Sequence, residues 1–368
     1  MNWYTVTNED ELDSPSLLIY KENLISNLDN MIDSALHVNL LIPHVKTNKM
    51  EEVILLMRER GINKVKTATI AEAELAAIAG MKFVVLAHQP VGPKIQRFIT
   101  LCKTYRNTEF VVIVDDKRII EKISDEAAAN DLIISVFLDI NNGMNRSGLR
   151  LDDQALLFYQ SLYRTPSLAC KGLHVYDGHL RQPDVDERKD SILNSYKAVE
   201  NLISDIECSG LPTPIVIAGG SPAFSVHNQF ADRLVSPGTT VLWDWGYAEK
   251  CKEQSYDFAA LVFTRVISKP AKGIVTVDLG HKAIASENPI HNRVRFLNLE
   301  NYTLKSQSEE HGVLEVVNWN EIQVGDCFYG IPYHVCPTVN LYEKAFVIED
   351  QKWNETWSVK ARNRSLTV

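Results

Sequence analysis

Near its C-terminal end the chain reads Tyr333-His334-Val335-Cys336-Pro337-Thr338. Imidazole and thiolate are both ligands for zinc and similar divalent metals. On a β-strand, residues two apart point to the same face. His334 and Cys336 are therefore expected to offer two donors side by side. Two protein ligands are too few to close a structural zinc site. A metal held this way keeps positions for water or substrate, which is how a Lewis acid is carried. A buried cysteine beside a surface histidine is the plainer reading of the same two residues.

Four other segments place reactive residue types at the ends of apolar runs. Pro43-His44-Val45-Lys46-Thr47 ends one such run. A lysine partly desolvated there has a lowered pKa and becomes a nucleophilic amine, as Schiff-base lysines require; a rim lysine paired with an acid is the alternative. Asp139–Gly148 carries Arg146 between two glycines, in a loop that lets a guanidinium reach an anionic oxygen. Gly172–His179 supplies Tyr176, which could stack on a flat ring, and His179, a candidate acid or base. Gly219-Gly220-Ser221 combines exposed backbone N–H groups with a hydroxyl ahead of an expected helix, a phosphate cradle. Taken singly, these could be a surface turn, aromatic packing and a tight turn. Together they suit pyridoxal phosphate (PLP), which a protein must bind, orient and tune.

The elements that must position these residues follow from the apolar pattern. Strands are expected at 16–20, 39–46, 64–69, 83–88, 110–114, 133–140, 172–176, 215–218 and 234–242. Helical patterns lie between most of them, at 21–36, 49–60, 70–79, 93–105, 117–130 and 187–208. This alternation calls for a mainly parallel sheet, and about eight units suggest an α/β (β/α)8 TIM-type barrel with its active residues at the C-terminal strand ends. An open doubly wound sheet is the alternative, but no Gly-x-Gly-x-x-Gly follows the first strand. Past residue 245 short β-rich runs take over at 259–267, 273–279, 293–299, 312–317, 327–332 and 344–348, with no helix expected among them. The expected division is a barrel over 15–245 and a smaller β domain over 246–368 joined by residues 1–14.

Composition bounds the rest. The 368 residues carry 38 basic and 47 acidic side chains, a net charge of −9 that argues against general nucleic-acid binding. No run is long and apolar enough to suggest a membrane span, and no secretory signal is legible. Six cysteines without a spacing pattern argue against a disulfide framework and for a reducing, cytoplasmic setting.

The segments above, together with Pro237-Gly238, Val277–Ala283, Ser308–Gly312 and His334–Leu341, resemble the fold-type III PLP enzymes. Alanine racemase is the prototype of that group. The resemblance runs from residue 15 to about 350 and is strongest to the metal-activated branch of D-threonine aldolase and eukaryotic D-serine dehydratase. It implies Lys46 as the Schiff-base lysine, Arg146 at the cofactor's phenolic oxygen, and Tyr176 against its ring. It implies Gly219, Gly220 and Ser221 at the phosphate, His334 and Cys336 on a zinc or manganese ion, and His179 near the substrate's β-hydroxyl. A barrel plus β domain, usually a homodimer, is the implied architecture. Three positions depart from the family's pattern. Asn48 stands where histidine is usual, Leu180-Arg181 follow His179 in place of Ser-Tyr, and Ser236 replaces an arginine, leaving the pyridine nitrogen without an assigned partner. The expected activity is cleavage of D-3-hydroxy amino acids to glycine and an aldehyde. Dehydration of D-serine or D-3-hydroxyaspartate to a keto acid and ammonia is the closest alternative. Racemisation needs no metal, and cofactor buffering needs no second domain.

Overall fold

A computed structural model of the chain describes residues 2–368. The strands in chain order are β1 Ser16–Tyr20, β2 Lys64–Thr67, β3 Phe83–Leu86, β4 Glu109–Val114, β5 Ile134–Asn141, β6 Leu149–Arg150, β7 Leu168–Val175, β8 Ile215–Ala218 and β9 Arg233–Val235. They continue as β10 Ala260–Ala271, β11 Ile274–Val277, β12 Val294–Phe296, β13 Tyr302–Gln307, β14 Gly312–Val316, β15 Cys327–Pro332, β16 Lys344–Glu349 and β17 Lys352–Ser358. The chain divides into two compact units. One holds residues 31–46, 51–238 and 363–368; the other holds 2–30, 47–50 and 239–362.

The first unit is built on a parallel sheet in the order β2-β3-β4-β5-β7-β8-β9, with β6 beside β5. Parallel neighbours cannot be joined by hairpins, and helices make the crossovers. These are Ile70–Ile78, Pro93–Thr104, Lys117–Ala129, Ala155–Tyr163 and Val185–Cys208. Side-chain caps start several of them where a turn must end: Thr69 accepts from Glu72 N–H, Asp116 from the N–H groups of Arg118 and Ile119, and Asp184 from Glu187 N–H. One face of the sheet packs Ile42, Val85, Val111, Ile113, Phe137 and Ile217 into a dry cluster.

Two expectations about this unit change. As regular strands the sheet is open between β9 and β2. The segment expected as strand 39–46 is a 3-10 turn, Val38–Leu40, followed by single parallel bridges from Leu41 to Val235 and from His44 to Lys66. Pro43 removes one ladder donor there, yet Ile42 N–H still donates to Val235 O (2.9 Å), His44 N–H to Pro237 O (2.8 Å) and Val45 N–H to Lys66 O (2.9 Å). Strand β1, expected with the barrel, pairs instead with β10 and β16 in the second unit's sheet. Its five residues are all buried. A strand apolar on both faces suits the middle of any covered sheet, so its sequence states its type but not its partners.

The second unit's nine-stranded sheet runs β13-β14-β11-β10-β1-β16-β17, with β15 on β10 and β12 on β15. All its pairings are antiparallel except β1 with β16. N-terminal residues pack here: Thr7 N–H donates to Gln351 O (2.8 Å) and Val6 N–H to the Tyr329 hydroxyl (3.2 Å). Contrary to the expected absence of helices, Trp245–Lys250 and Val335–Leu341 are helical.

Candidate active site

In the first unit the C-terminal ends of the parallel strands surround a cavity of 430 Å³. Lys46, Arg146 and Tyr176, far apart in sequence, line it together, joined by Lys66, Asp139 and His174. The segment 41–45 carries Lys46 to its place. Arg146 swings in from the glycine-flanked loop after β5 and sets its guanidinium 4.6 Å from the centre of the Tyr176 ring.

Tyr176 owes its position to missing side chains. A Cβ on Gly178 would fall 2.0 Å from the Tyr176 hydroxyl, and one on Gly220 would fall 2.8 Å from its Cε2. Gly219 has a different part. Its φ of +72° turns the chain out of β8, and its N–H is committed to Val175 O at 3.0 Å. It therefore shapes the turn, and the N–H groups offered to an anion must come from Gly220 onward. Ser221 Oγ accepts from Gly238 N–H (3.0 Å), tying the turn to the Pro237-Gly238 segment. Ser236 Oγ is buried with no partner.

Polar groups that the sequence reading did not single out complete the site. Asp139 on β5 and His174 on β7 are in register, and Asp139 Oδ1 lies 2.7 Å from His174 Nδ1. The other Asp139 oxygen accepts from Ser147 Oγ (2.9 Å). Among the described residues, His174 Nε2 is buried with no partner. Burial pushes the His174 pKa down against the pull of Asp139, which favours the neutral ring. Lys66 on β2 is 2% exposed. Burial, then the charge of Lys46, lowers its pKa to about 7, partly offset by Asp177 and Asp139. Polar residues at inward positions of a strand's C-terminal end were the available signal for all three. His179 does not line the cavity. Its Nε2 lies 3.3 Å from the Cβ position of Gly143, and its Nδ1 is buried and unpartnered.

The expected metal pair belongs to the second unit and is not on a strand. β15 ends at Pro332; His334 is the extended cap residue, and Val335–Leu341 is a helix with Cys336 in its first turn. Pro337 fits there because the first helical turn needs no N–H from it. Asp244 Oδ2 accepts the Val335 N–H (3.1 Å) and so caps this helix from outside. Cys336 still acts on the His334 imidazole and favours its protonated form. Glu287 Oε1 lies 2.5 Å from His334 Nδ1, and the hydroxyls of Thr47 and Thr239 lie 3.2 and 3.7 Å from Cys336 Sγ. Burial alone would lower the His334 pKa; Cys336, the bond to Glu287 and the charge of Asp244 outweigh it and raise it to about 9. Burial raises Asp244 to about 6 against the backbone N–H groups it accepts. Among the described residues no group of three or more His, Cys, Asp or Glu side chains is placed to hold a metal. The donor set fits a metal with most of its shell open. A carboxylate on one imidazole nitrogen, leaving the other for the ion, is the usual arrangement around ligating histidines.

Residues 19–244 match the family model described as alanine racemase, N-terminal domain, and residues 259–348 match the putative serine dehydratase domain. The chain is 24% identical to a 3-hydroxy-D-aspartate aldolase of Paracoccus denitrificans (strain Pd 1222), over 97% of this chain and 94% of the relative. It is also 24% identical to a D-threo-3-hydroxyaspartate dehydratase of Delftia sp. (strain HT23), over 89% and 92%. Among solved structures, that of D-threonine aldolase from Filomicrobium marinum superimposes with a TM-score of 0.87 at 26% identity, covering 95% of both chains.

Proposed function

The chain belongs to the alanine racemase N-terminal domain family, and on that premise we propose that it is a PLP- and divalent-metal-dependent lyase of D-3-hydroxy amino acids. The preferred reaction is aldol cleavage to glycine and an aldehyde. The observation that carries this reading is the gathering of an amine, a guanidinium and a glycine-cradled aromatic ring in one cavity at the strand ends. Segment 41–45 is read as the eighth stave of a barrel, since it hydrogen-bonds to both sheet edges.

The residues fit the cofactor. Among the described residues, the buried His174 Nε2 on the cavity wall has no partner and is a polar atom awaiting a ligand. Bound PLP supplies an electron sink for the carbanion left at Cα when a bond to it breaks. Lys46 would hold it covalently, Arg146 would donate to its anionic ring oxygen, and Tyr176 would cover its face. The backbone from Gly220, with Ser221, would hold its phosphate. Asp139 keeps the proton of His174 on Nδ1, leaving Nε2 an acceptor toward the cavity. His334 and Cys336 would hold the metal, which supplies Lewis acidity to the substrate hydroxyl. In aldol cleavage a base takes the β-hydroxyl proton; His179, expected in that part from the sequence, lies outside the cavity lining, and the base is left unassigned. The Cα–Cβ bond breaks, the aldehyde leaves, and Cα receives a proton.

Dehydration is the second reading, favoured by the similarity to the Delftia dehydratase. There Lys46 removes the Cα proton and the β-oxygen departs. One experiment separates these. Purified protein with PLP is given D-threonine, D-3-hydroxyaspartate and D-serine, with and without a chelator. Glycine and an aldehyde establish the aldolase; keto acid and ammonia establish the dehydratase. If no visible cofactor band forms, or the band survives Lys46→Ala unchanged, the PLP reading fails.

A further inference from the structure

Lys66 is not needed by any step above, yet it occupies the most protected position in the cavity wall. It stands on β2 in register with Val85, on the face that packs the apolar cluster. Its side chain runs along that face to the cavity, where its ammonium lies 5.5 Å from the centre of the Tyr176 ring. Among the described residues this ammonium makes no hydrogen bond and no ion pair. The nearby carboxylates are largely engaged elsewhere: Asp139 by His174 and Ser147, Asp115 by Gly148 N–H, and one oxygen of Asp177 by His227, while among the described residues Asp177 Oδ1 is buried without a hydrogen bond. Lys46 and Arg146 add like charge, while His44 and His174 contribute no anion. With Lys66 protonated the wall carries three cationic side chains, Lys46, Lys66 and Arg146, against two carboxylates, Asp115 and Asp139.

Burying a cation without a partner is costly, and a fold built for stability alone would place an apolar side chain there. The cost is explained if the counter-charge arrives with a ligand. We propose that Lys66 is an anion-binding residue of this cavity, seating an anionic oxygen of the molecule held there. Two sources share that chemistry: the ring oxygen of PLP and a carboxylate of the amino-acid substrate. Assigning either source rests on the PLP-lyase reading; the anion site itself does not. Burial together with its cationic neighbours brings the Lys66 pKa to about 7, so a bound anion also serves to hold its proton.

Lys66→Met removes the charge at nearly constant volume, and Lys66→Arg restores it. The apoprotein of Lys66→Met is expected to melt no lower than wild type. Sulfate titrated into apoprotein is expected to raise the melting temperature of wild type and of Lys66→Arg more than that of Lys66→Met, an arm that needs no cofactor. If the ring oxygen is the partner, Lys66→Met weakens PLP binding about tenfold or more and raises the pH at which the visible band changes. If a substrate carboxylate is the partner, PLP binding is unchanged. The kcat/KM preference for D-3-hydroxyaspartate over D-threonine then falls about tenfold, the side-chain carboxylate being the partner, or KM rises for both. Equal sulfate stabilisation, equal PLP affinity, an equal band midpoint and equal kinetics in Lys66→Met and wild type overturn the proposal, even with a Lys46-dependent band intact. A wild type that responds to sulfate through Lys66 but forms no such band keeps the anion site and removes the cofactor reading.

Discussion

Two carboxylate–imidazole pairs sit in the same unit, each with a 2.7 Å contact and each almost completely buried. Asp139–His174 ends at the cavity, with His174 Nε2 left open. Asp177–His227 runs the other way. His227 Nε2 meets Asp177, and its Nδ1 receives the Arg233 guanidinium at 3.4 Å. Arg233 is bonded twice to Asp232 and lies over the rings of Tyr196 (3.9 Å) and Phe230 (4.2 Å). A Cβ on Gly219 would come within 2.8 Å of His227 Cδ2, so this second pair braces the turn expected to hold phosphate. Pair geometry alone does not make a reactive site. What distinguishes the two is whether the far imidazole nitrogen is left for a ligand or absorbed by the protein.

The contrast is broken most forcefully at Asp177. Asp177→Ala leaves the buried His227 Nε2 without its carboxylate partner and is expected to cost about 1–3 kcal/mol in denaturant unfolding. A loss below about 1 kcal/mol would mean that the relay does not brace the fold. His174→Gln should act in the opposite sense: activity drops roughly 100-fold. Stability should move by no more than about 1 kcal/mol, because the Asp139 bond can be remade. Gly219→Ala tests the bracing directly. With φ at +72° and His227 in the way, it should cost about 1–3 kcal/mol and weaken PLP binding. A Gly219→Ala protein as stable as wild type would dissociate the turn from the relay.

The smallest effect is a pH slope. The folded pKa of His174 lies below its unfolded value of 6.5. Below pH 6.5 the unfolded chain therefore binds a proton that the folded chain does not, and stability falls as pH falls. Above pH 6.5 the group is neutral in both states and contributes no slope. His174→Gln should flatten the acid limb of a stability–pH curve; an identical limb in the mutant would place its origin elsewhere.

Much of the first unit was legible because its signals are local. The 215–218 strand appears as read, and the 70–79 and 117–130 patterns fall within a residue of Ile70–Ile78 and Lys117–Ala129, where Thr69 and Asp116 cap. The helix Ala155–Tyr163 was missed because its apolar residues form no clear stripe, and only three of nine are buried. Lys46, Arg146 and Tyr176 were singled out from the apolar runs they follow, and the structure brings them to one cavity, although the run before Lys46 is a 3-10 turn with isolated bridges and not a strand. The bracing relay could not be read from the sequence, since Asp177 meets His227, and His227 meets Arg233, only through the fold. Val335–Leu341 was misread because Val335, Cys336 and Thr338 look like a strand, while the signal for the helix, the Asp244 cap, lies 91 residues upstream.

The dry cluster of Ile42, Val85, Val111, Ile113, Phe137 and Ile217 lies on the same sheet face as Lys66, Asp139 and His174. Its consequence concerns proton traffic. Apolar packing of this density offers no donors or acceptors through which a proton could hop. Protons lost or gained by the cavity groups must pass among themselves or through the mouth. Once a bound molecule covers that mouth, the cavity becomes a closed inventory. In the dehydration reading, hydrogen taken from Cα would then return to carbon before exchanging with solvent, so retention of deuterium in the keto acid reports how well the floor is sealed.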